Sequence, residues 1–471
     1  MTVITRAPET QKTVSPVDGR VFVERMLATP EEIHDILRTA RHAQVAWRNV
    51  PLPERAQILL RFCNEFEKRG ARIAEELTWQ MGRPARYAPN EIRGTLERAR
   101  HMIAIGSQAL ADIETAPKPD FKRFVRREPL GVVFTIAAWN YPYLIAVNSV
   151  VPALMAGNAV ILKHSAQTPL CAERFAECFE AAGLPKGVFQ IVHASHEDTD
   201  RIIRDPRVNF VAFTGSVAGG HAVQRAASSR FIGVGLELGG CDPVYVRHDA
   251  NLDHAIENIV DGAYFNSGQS CCGLQRIYVH HGVYQKFLEG FVDLTRKYVL
   301  EDPREANTTL GPVVRTAAAE SIRSQIDASI KAGAKGLIAE SAFGRSERGT
   351  PYLAPQVLVN VDHRMPIMRE EIFGPVAGIM KVSSDDEAVD LMNDSDFGLT
   401  AAIWTEDADA AEALGERVIT GTWFMNRCDY LDPALAWVGT KDSGRGCTLS
   451  VVGYEHLTRP KSFHLRLKTG V

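Results

Sequence analysis

At 471 residues, 45% hydrophobic and 23% charged, the chain is long enough for two or three packed domains of ordinary globular composition. Its formal charge of −4, with no run of Lys or Arg, excludes a basic footprint for nucleic acid. The eight cysteines (63, 171, 178, 241, 271, 272, 428 and 447) form no Cys-x-x-Cys pair and no zinc spacing, and residues 1–10 hold no apolar signal core. Both features point to a reducing cytoplasm.

Residues 15–19 (S-P-V-D-G) predict a turn between two short strands. Thr29-Pro30-Glu31-Glu32 predicts a helix start, with Thr29 as N-cap, Pro30 in first position and Glu32 closing a capping box. Ile33, Ile36, Leu37, Ala40 and Ala43 follow at helical spacing. Further helices are expected over 53–70, 71–82 and 90–109, then a protruding hairpin over 112–127. From Gly131 to Leu162 no residue is charged, a run longer than a membrane span needs, but Asn140, Pro142, Asn148, Pro152, Gly157 and Asn158 interrupt it. It reads as buried core: a strand over 132–137, a loop, a helix ending at Gly157, and a strand over 160–162 that delivers Lys163. Strands over 188–192, 208–213 and 231–234, and later near 276–280, 376–380, 401–404 and 422–425, alternate with helices. That alternation argues an α/β fold with parallel sheets. A final strand over 462–467 has no obvious neighbour and is expected to pair with the 112–127 hairpin or with another subunit.

Several residues have the type and setting for chemistry. Residues 266–273 (N-S-G-Q-S-C-C-G) put two thiols, Cys271 and Cys272, on a small-residue turn where a reactant can approach closely. A nucleophile and a small buried hydrophobe are both open readings of such a cysteine. Phe213-Thr214-Gly215-Ser216 closes a strand and opens a helix, a geometry that aims backbone N–H groups at an anion, although no G-x-G-x-x-G fingerprint occurs. Lys163 ends a buried strand, where a cation reaches a ribose or phosphate, or snorkels to the surface. Glu237, in L-E-L-G-G, follows a buried strand, and apolar surroundings raise a carboxylate's proton affinity as a general base requires. Asn140 can hold an oxyanion or satisfy a buried loop. Glu371 and Phe373 share the turn E-I-F-G-P. No G-x-S-x-G elbow supports a serine hydrolase.

Taken together, the chain resembles the aldehyde dehydrogenase superfamily along essentially its whole length. The matching stretches are W-N-Y-P (139–142), G-N-A-V-I-L-K (157–163), F-T-G-S (213–216), E-L-G-G (237–240) and G-Q-S-C (268–271), followed by E-I-F-G-P (371–375), N-D-S-D-F-G-L-T (393–400) and K-D-S-G-R-G (441–446). The resemblance implies a Rossmann-like cofactor-binding domain (1–111 and 130–239), a second α/β catalytic domain (240–441) and a small β oligomerisation extension (112–129 and 442–471). It implies that Cys271 is the nucleophile, that Asn140 and the Cys271 N–H hold the oxyanion, and that Glu237 activates water to release the acid. It places Lys163 in the site and, with Trp139, Ser165, Gly215, Ser216, Leu238, Glu371 and Phe373, around NAD or NADP. Glu237 argues against the acylating branch, which passes the thioester to coenzyme A. The implied substrate is a small-molecule aldehyde, and the implied assembly a homodimer or homotetramer.

The chain departs from the family pattern in three places. Lys163-His164-Ser165-Ala166 lacks the carboxylate that usually receives the adenosine ribose, which removes repulsion against a 2′-phosphate and admits NADP beside NAD. Cys241 and Cys447 stand at or near positions where Lys and Arg are common, and both are expected to be structural. The Lys-His variant with E-L-G-G-x-D-P is similar to a compact subgroup with succinate-semialdehyde dehydrogenases, which implies a small carboxylated semialdehyde. The loop after Asn426 is expected to finish the pocket: Arg427 as partner for a substrate carboxylate, Asp429 for an amino-aldehyde, or the two in a surface salt bridge. A catalytically silent paralogue acting as assembly partner and a cofactor-free cysteine esterase or thioesterase are the competing readings. Joint retention of Cys271, Glu237 and Asn140 counts against the first, and the nucleotide-site matches count against the second.

Overall fold

The structure is a computed structural model describing residues 9–428 and 430–469. The sequence-level start signal is realised: Thr29 caps the helix Pro30–Trp47, its hydroxyl accepting from the Glu32 N–H while the Glu32 carboxylate accepts from the Thr29 N–H. Helices Leu52–Lys68, Gly70–Met81 and Ala88–Ala109 follow within two residues of expectation. The uncharged run from 131 to 162 is core. Strand Val132–Ala137, helix Pro142–Met155 and the apolar part of strand Ala159–His164 are buried almost throughout. Among the described residues no helix is long and apolar enough to cross a membrane.

Two sheets carry the molecule. In the first, strands lie in the order Gly444–Arg445, Gly233–Glu237, Val208–Thr214, Val132–Ala137, Ala159–His164, Phe189–Ile191, all parallel except the short Gly444–Arg445. Taken by chain order, the five parallel strands run 5-4-1-2-3, the doubly wound dinucleotide-binding arrangement. Its switch point lies between Val132–Ala137 and Val208–Thr214, whose carboxyl ends lead into Trp139-Asn140 and Gly215-Ser216. The second sheet orders Lys335–Gly336, Gln356–Val359, Val376–Val382, Leu274–His280, Asp242–Val246, Thr400–Trp404 and Thr422–Met425. A third sheet of three strands orders Thr458–Arg466, Phe121–Pro129 and Ile113–Glu114.

Several expectations needed correction. The strand placed at 231–234 is Gly233–Glu237, so Glu237 is its last residue rather than a turn residue after it. Lys163 lies inside strand Ala159–His164, one residue before its end. The central strand Asp242–Val246 and the strand Gln356–Val359 were not expected at all; Asp242-Pro243 and Pro355 at their heads read locally as turns. The terminal strand, by contrast, pairs as expected with the 112–127 hairpin, antiparallel to Phe121–Pro129 over nine residue pairs from Thr458↔Pro129 to Arg466↔Phe121.

Candidate active site

The carboxyl ends of the first sheet and the amino ends of the second meet at one place. Glu237 ends a strand of the first, and Asp242 starts one of the second five residues later. Cys271 lies three residues before strand Leu274–His280, and Phe373 three before Val376–Val382. Cys271 and Glu237, 34 positions apart in sequence, both line a cavity with about 590 Å³ of empty space, walled by Tyr141, Leu144, Leu431 and Trp437. The close approach depends on a missing side chain. A Cβ on Gly240 would lie 2.3 Å from the Cys271 carbonyl oxygen.

The cysteine turn is unusually wound. Asn266, Ser267 and Gly268 have φ of 54°, 57° and 69°, three successive left-handed residues, two of them non-glycine. Side chains hold the turn in place: Gln269 Oε1 accepts from the Val314 N–H at 2.7 Å, and Ser267 Oγ donates to the Gly311 carbonyl at 2.8 Å. At Gly268 a Cβ would strike the Gly374 carbonyl oxygen at 2.1 Å, so the E-I-F-G-P turn packs directly on the cysteine turn. Cys271 is half-buried; its neighbour Cys272 and its burial push the thiol's proton affinity well up.

Glu237 brings a carboxylate into the same cavity. Thr448 Oγ donates to its Oε1 at 2.5 Å and Thr214 Oγ to its Oε2 at 3.2 Å. Burial raises its pKa despite both hydroxyls and the Arg98 guanidinium, which act to lower it. Asn140 is buried beside the cysteine turn, its Nδ2 donating to the Gln269 carbonyl at 3.3 Å. Lys163 is 8% exposed, its ammonium makes no hydrogen bond or ion pair with a described residue, and it does not line the cavity with Cys271. Burial lowers its pKa.

Other residues picked from sequence surround the switch point. Ser216 caps the helix Val217–Ala227, its Oγ accepting from the Gly219 N–H, and the Gly215 N–H donates to the Glu237 carbonyl at 3.0 Å. Trp139 and Phe373 meet edge to face at 5.6 Å across the two sheets. Glu371 Oε1 accepts from the Gly240 N–H at 3.1 Å, and burial pushes its pKa up to about 7. Leu238 lines the cavity, and its N–H donates to the Ser443 carbonyl. Ser165 Oγ accepts from the Gln167 N–H in a local turn. Cys241 and Cys447 are pushed up to about 12 and 11 by burial, the behaviour of packing thiols. Arg427 is exposed, stacks over the Tyr430 ring at 4.1 Å and does not line the cavity; Asp429 lies outside the described residues.

The sequence reading missed a buried scaffold. Arg83 pairs with Glu91, donates from Nη2 to the Asn140 carbonyl at 2.6 Å, and donates from Nε to Asn266 Oδ1 at 3.2 Å. The same Glu91 accepts from the N–H groups of Tyr143 and Leu144 at 2.9 and 3.1 Å, at the start of helix Pro142–Met155. One guanidinium thus ties the Asn140 loop to the cysteine turn. Arg83→Met leaves Glu91 as an uncompensated buried charge and is expected to cost about 3–5 kcal/mol, read as a lower urea midpoint. A midpoint unchanged from the parent would remove Arg83 from this role.

Asp242 is buried, accepts from the Thr400 hydroxyl through Oδ2, and leaves Oδ1 without a partner among the described residues. Burial raises its pKa to about 8. Unfolded, it ionises at about 4, so between these values the folded state holds the extra proton and stability falls as pH rises, by at most about 1.4 kcal/mol per unit. Glu371 adds the same sign up to about 7. Asp242→Asn should therefore lose less Tm between pH 6 and 8 than the parent; an equal or larger loss would contradict the assignment.

Comparison with known proteins agrees with this geometry. Residues 3–463 match the profile of the aldehyde dehydrogenase family. The chain is 32% identical to a D-glyceraldehyde dehydrogenase (NADP(+)) of Thermoplasma acidophilum over 88% of this chain and 84% of that one. It is 31% identical to the succinate semialdehyde dehydrogenase [NAD(P)+] Sad of Escherichia coli, over 93% and 94%. The crystal structure of an NAD-dependent aldehyde dehydrogenase from Sinorhizobium meliloti superposes with a TM-score of 0.94 at 32% identity, covering 98% of this chain and 92% of that one. With Cys271 and Glu237 lining one cavity beside a dinucleotide-type sheet, the chain belongs to the aldehyde dehydrogenase family.

Proposed function

We propose that the protein oxidises an aldehyde to its carboxylic acid with NAD(P)+, through an acyl group carried on Cys271. The observation that carries this reading is the single cavity shared by Cys271 and Glu237. The switch-point crevice suits a dinucleotide. It offers a helix N-terminus at Ser216, a buried Lys163 whose ammonium is unpaired among the described residues, and the Glu371 carboxylate against Gly239 and Gly240. Lys163, Ser165, Gly215 and Ser216 would hold the adenosine and phosphate end. Trp139, Leu238, Glu371 and Phe373 would hold the nicotinamide end. When bound, the cofactor supplies the hydride acceptor.

The chain's own residues do the rest. A base removes the Cys271 proton, and the thiolate sulfur bonds to the carbonyl carbon. Asn140 Nδ2 and the Cys271 N–H donate to the oxygen that becomes negative. After oxidation, Glu237 takes a proton from water, whose oxygen bonds to the thioester carbon as the C–S bond breaks. Thr214 and Thr448 orient the Glu237 carboxylate for this step.

The division into a cofactor-binding unit (1–111, 130–239), a catalytic unit (240–441) and a bridging extension (112–129, 442–471) belongs to the same proposal, with the two large sheets and the separate three-stranded sheet in support. Residues 444–445 pair with Glu237 and Leu236 and serve the site itself. A homodimer or homotetramer is supported by exposed Ile113, Leu465 and Leu467 on or beside the small sheet. A cytoplasmic location is supported by eight free cysteines. The testing experiment is a panel of aliphatic, aromatic, carboxylated and amino aldehydes, assayed with NAD and with NADP. Reduced cofactor forming with at least one aldehyde is the expected result, and none with any aldehyde would overturn the reading.

A further inference from the structure

Arg98 has no role in the chemistry above, yet it lines the same cavity as Cys271 and Glu237. It projects from helix Ala88–Ala109 and is 9% exposed. Its Nη1 donates only to neutral acceptors, the Leu144 carbonyl at 3.1 Å and Asn148 Oδ1 at 3.3 Å. Nε and Nη2 make no hydrogen bond with a described residue, and the guanidinium has no ion pair among them. Among other buried arginines, Arg55 also lacks an ion pair with a described residue, but it does not line this cavity. Arg83 and Arg174 each hold a glutamate, and Arg276 spends Nε, Nη1 and Nη2 on backbone carbonyls. The carboxylates whose charge Arg98 feels are already committed, Glu91 to Arg83 and two N–H groups, Glu237 to two threonines.

A buried cation without a counter-ion is costly, and the cavity walls around it (Tyr141, Leu144, Ile145, Leu431, Trp437) strengthen any charge pairing inside. The remaining guanidinium edge is matched to a carboxylate, which it can grip through two parallel N–H bonds. We infer that Arg98 binds an ionised carboxylate on the substrate itself, so that the preferred substrates are short aldehydes carrying a second acid group. The inference rests on the cavity being an aldehyde dehydrogenase site, and it selects among chemistries that site can take. Neutral polyol aldehydes lack the partner, and amino or quaternary ammonium aldehydes bring a like charge. It also moves the recognition of the acid group from the exposed Arg427 to the buried Arg98.

The test uses the full-length enzyme with cofactor and a matched pair: succinate semialdehyde and its neutral methyl ester. The parent should favour the acid in kcat/KM. In Arg98→Met that preference should fall about 100-fold, mostly through KM, with Arg98→Lys recovering part of it. A fall of equal size for acid and ester would overturn the inference and place Arg98 with the thiol chemistry instead. A parent that favours the ester would also overturn it. Should Arg98→Met not fold, inhibitors of the parent decide: succinate should compete with the ester at least about tenfold more tightly than succinamide, and equal inhibition contradicts the inference. A parent that oxidises no aldehyde at all is a separate outcome; it defeats the underlying activity, whereas an active parent with no acid preference defeats only Arg98.

Discussion

Cys271→Ala is expected to abolish aldehyde oxidation, lowering kcat/KM by roughly 10⁴-fold or more, because no other group replaces the covalent step. Cofactor binding, followed by quenching of protein fluorescence, should survive, since Lys163, Gly215 and Ser216 lie on or just after strands of the first sheet, away from the cysteine turn. Cys272→Ala should do far less harm. Its thiol is buried and its Sγ contacts Ser270 Oγ at 3.4 Å, the position of a packing neighbour. If Cys271→Ala kept its activity and Cys272→Ala lost it, the assignment of the two thiols would be reversed.

Glu237→Gln separates the two halves of the reaction. The amide keeps the shape of the side chain and the Thr448 and Thr214 contacts can reorganise around it, but it cannot take a proton from water. One equivalent of NAD(P)H per active site should form rapidly and steady turnover should fall by about 10²–10⁴-fold. A variant that turned over at the parent rate would need another base. If instead the burst itself vanished, Glu237 would be required to deprotonate the thiol, which the raised proton affinity of Cys271 makes a demanding step.

The parts of this account that could be read in the sequence were those with local signals. The capping box at Thr29 and Glu32 and the alternation of strands and helices depend on neighbouring residues only. Strand Asp242–Val246 was missed although it is central, because its first two residues are turn formers and burial on both faces leaves no alternation to detect. The convergence of Cys271 and Glu237 had no local signal; the family resemblance supplied it, and the meeting of two sheet edges explains it. Glu91 and Arg98 escaped notice as charges in polar-looking helical sequence, and Arg83 as a charge in the short loop before that helix. Yet Glu91 and Arg98 are seven positions apart, two helical turns, on the stripe that also holds Ile92, Leu96, Ala99 and Met102. A charge on an apolar stripe was the available clue. Arg427 attracted attention for the opposite reason: it lies in the right loop, but its side chain stacks outward on Tyr430.

The most direct measurement is intact-mass and peptide mass spectrometry of Glu237→Gln, quenched in acid after one turnover with NAD(P)+ and an oxidisable aldehyde. One acyl group per chain, carried on Cys271, is the expected result. An acyl group on Cys272, or a burst of reduced cofactor with no adduct on any cysteine, would contradict it.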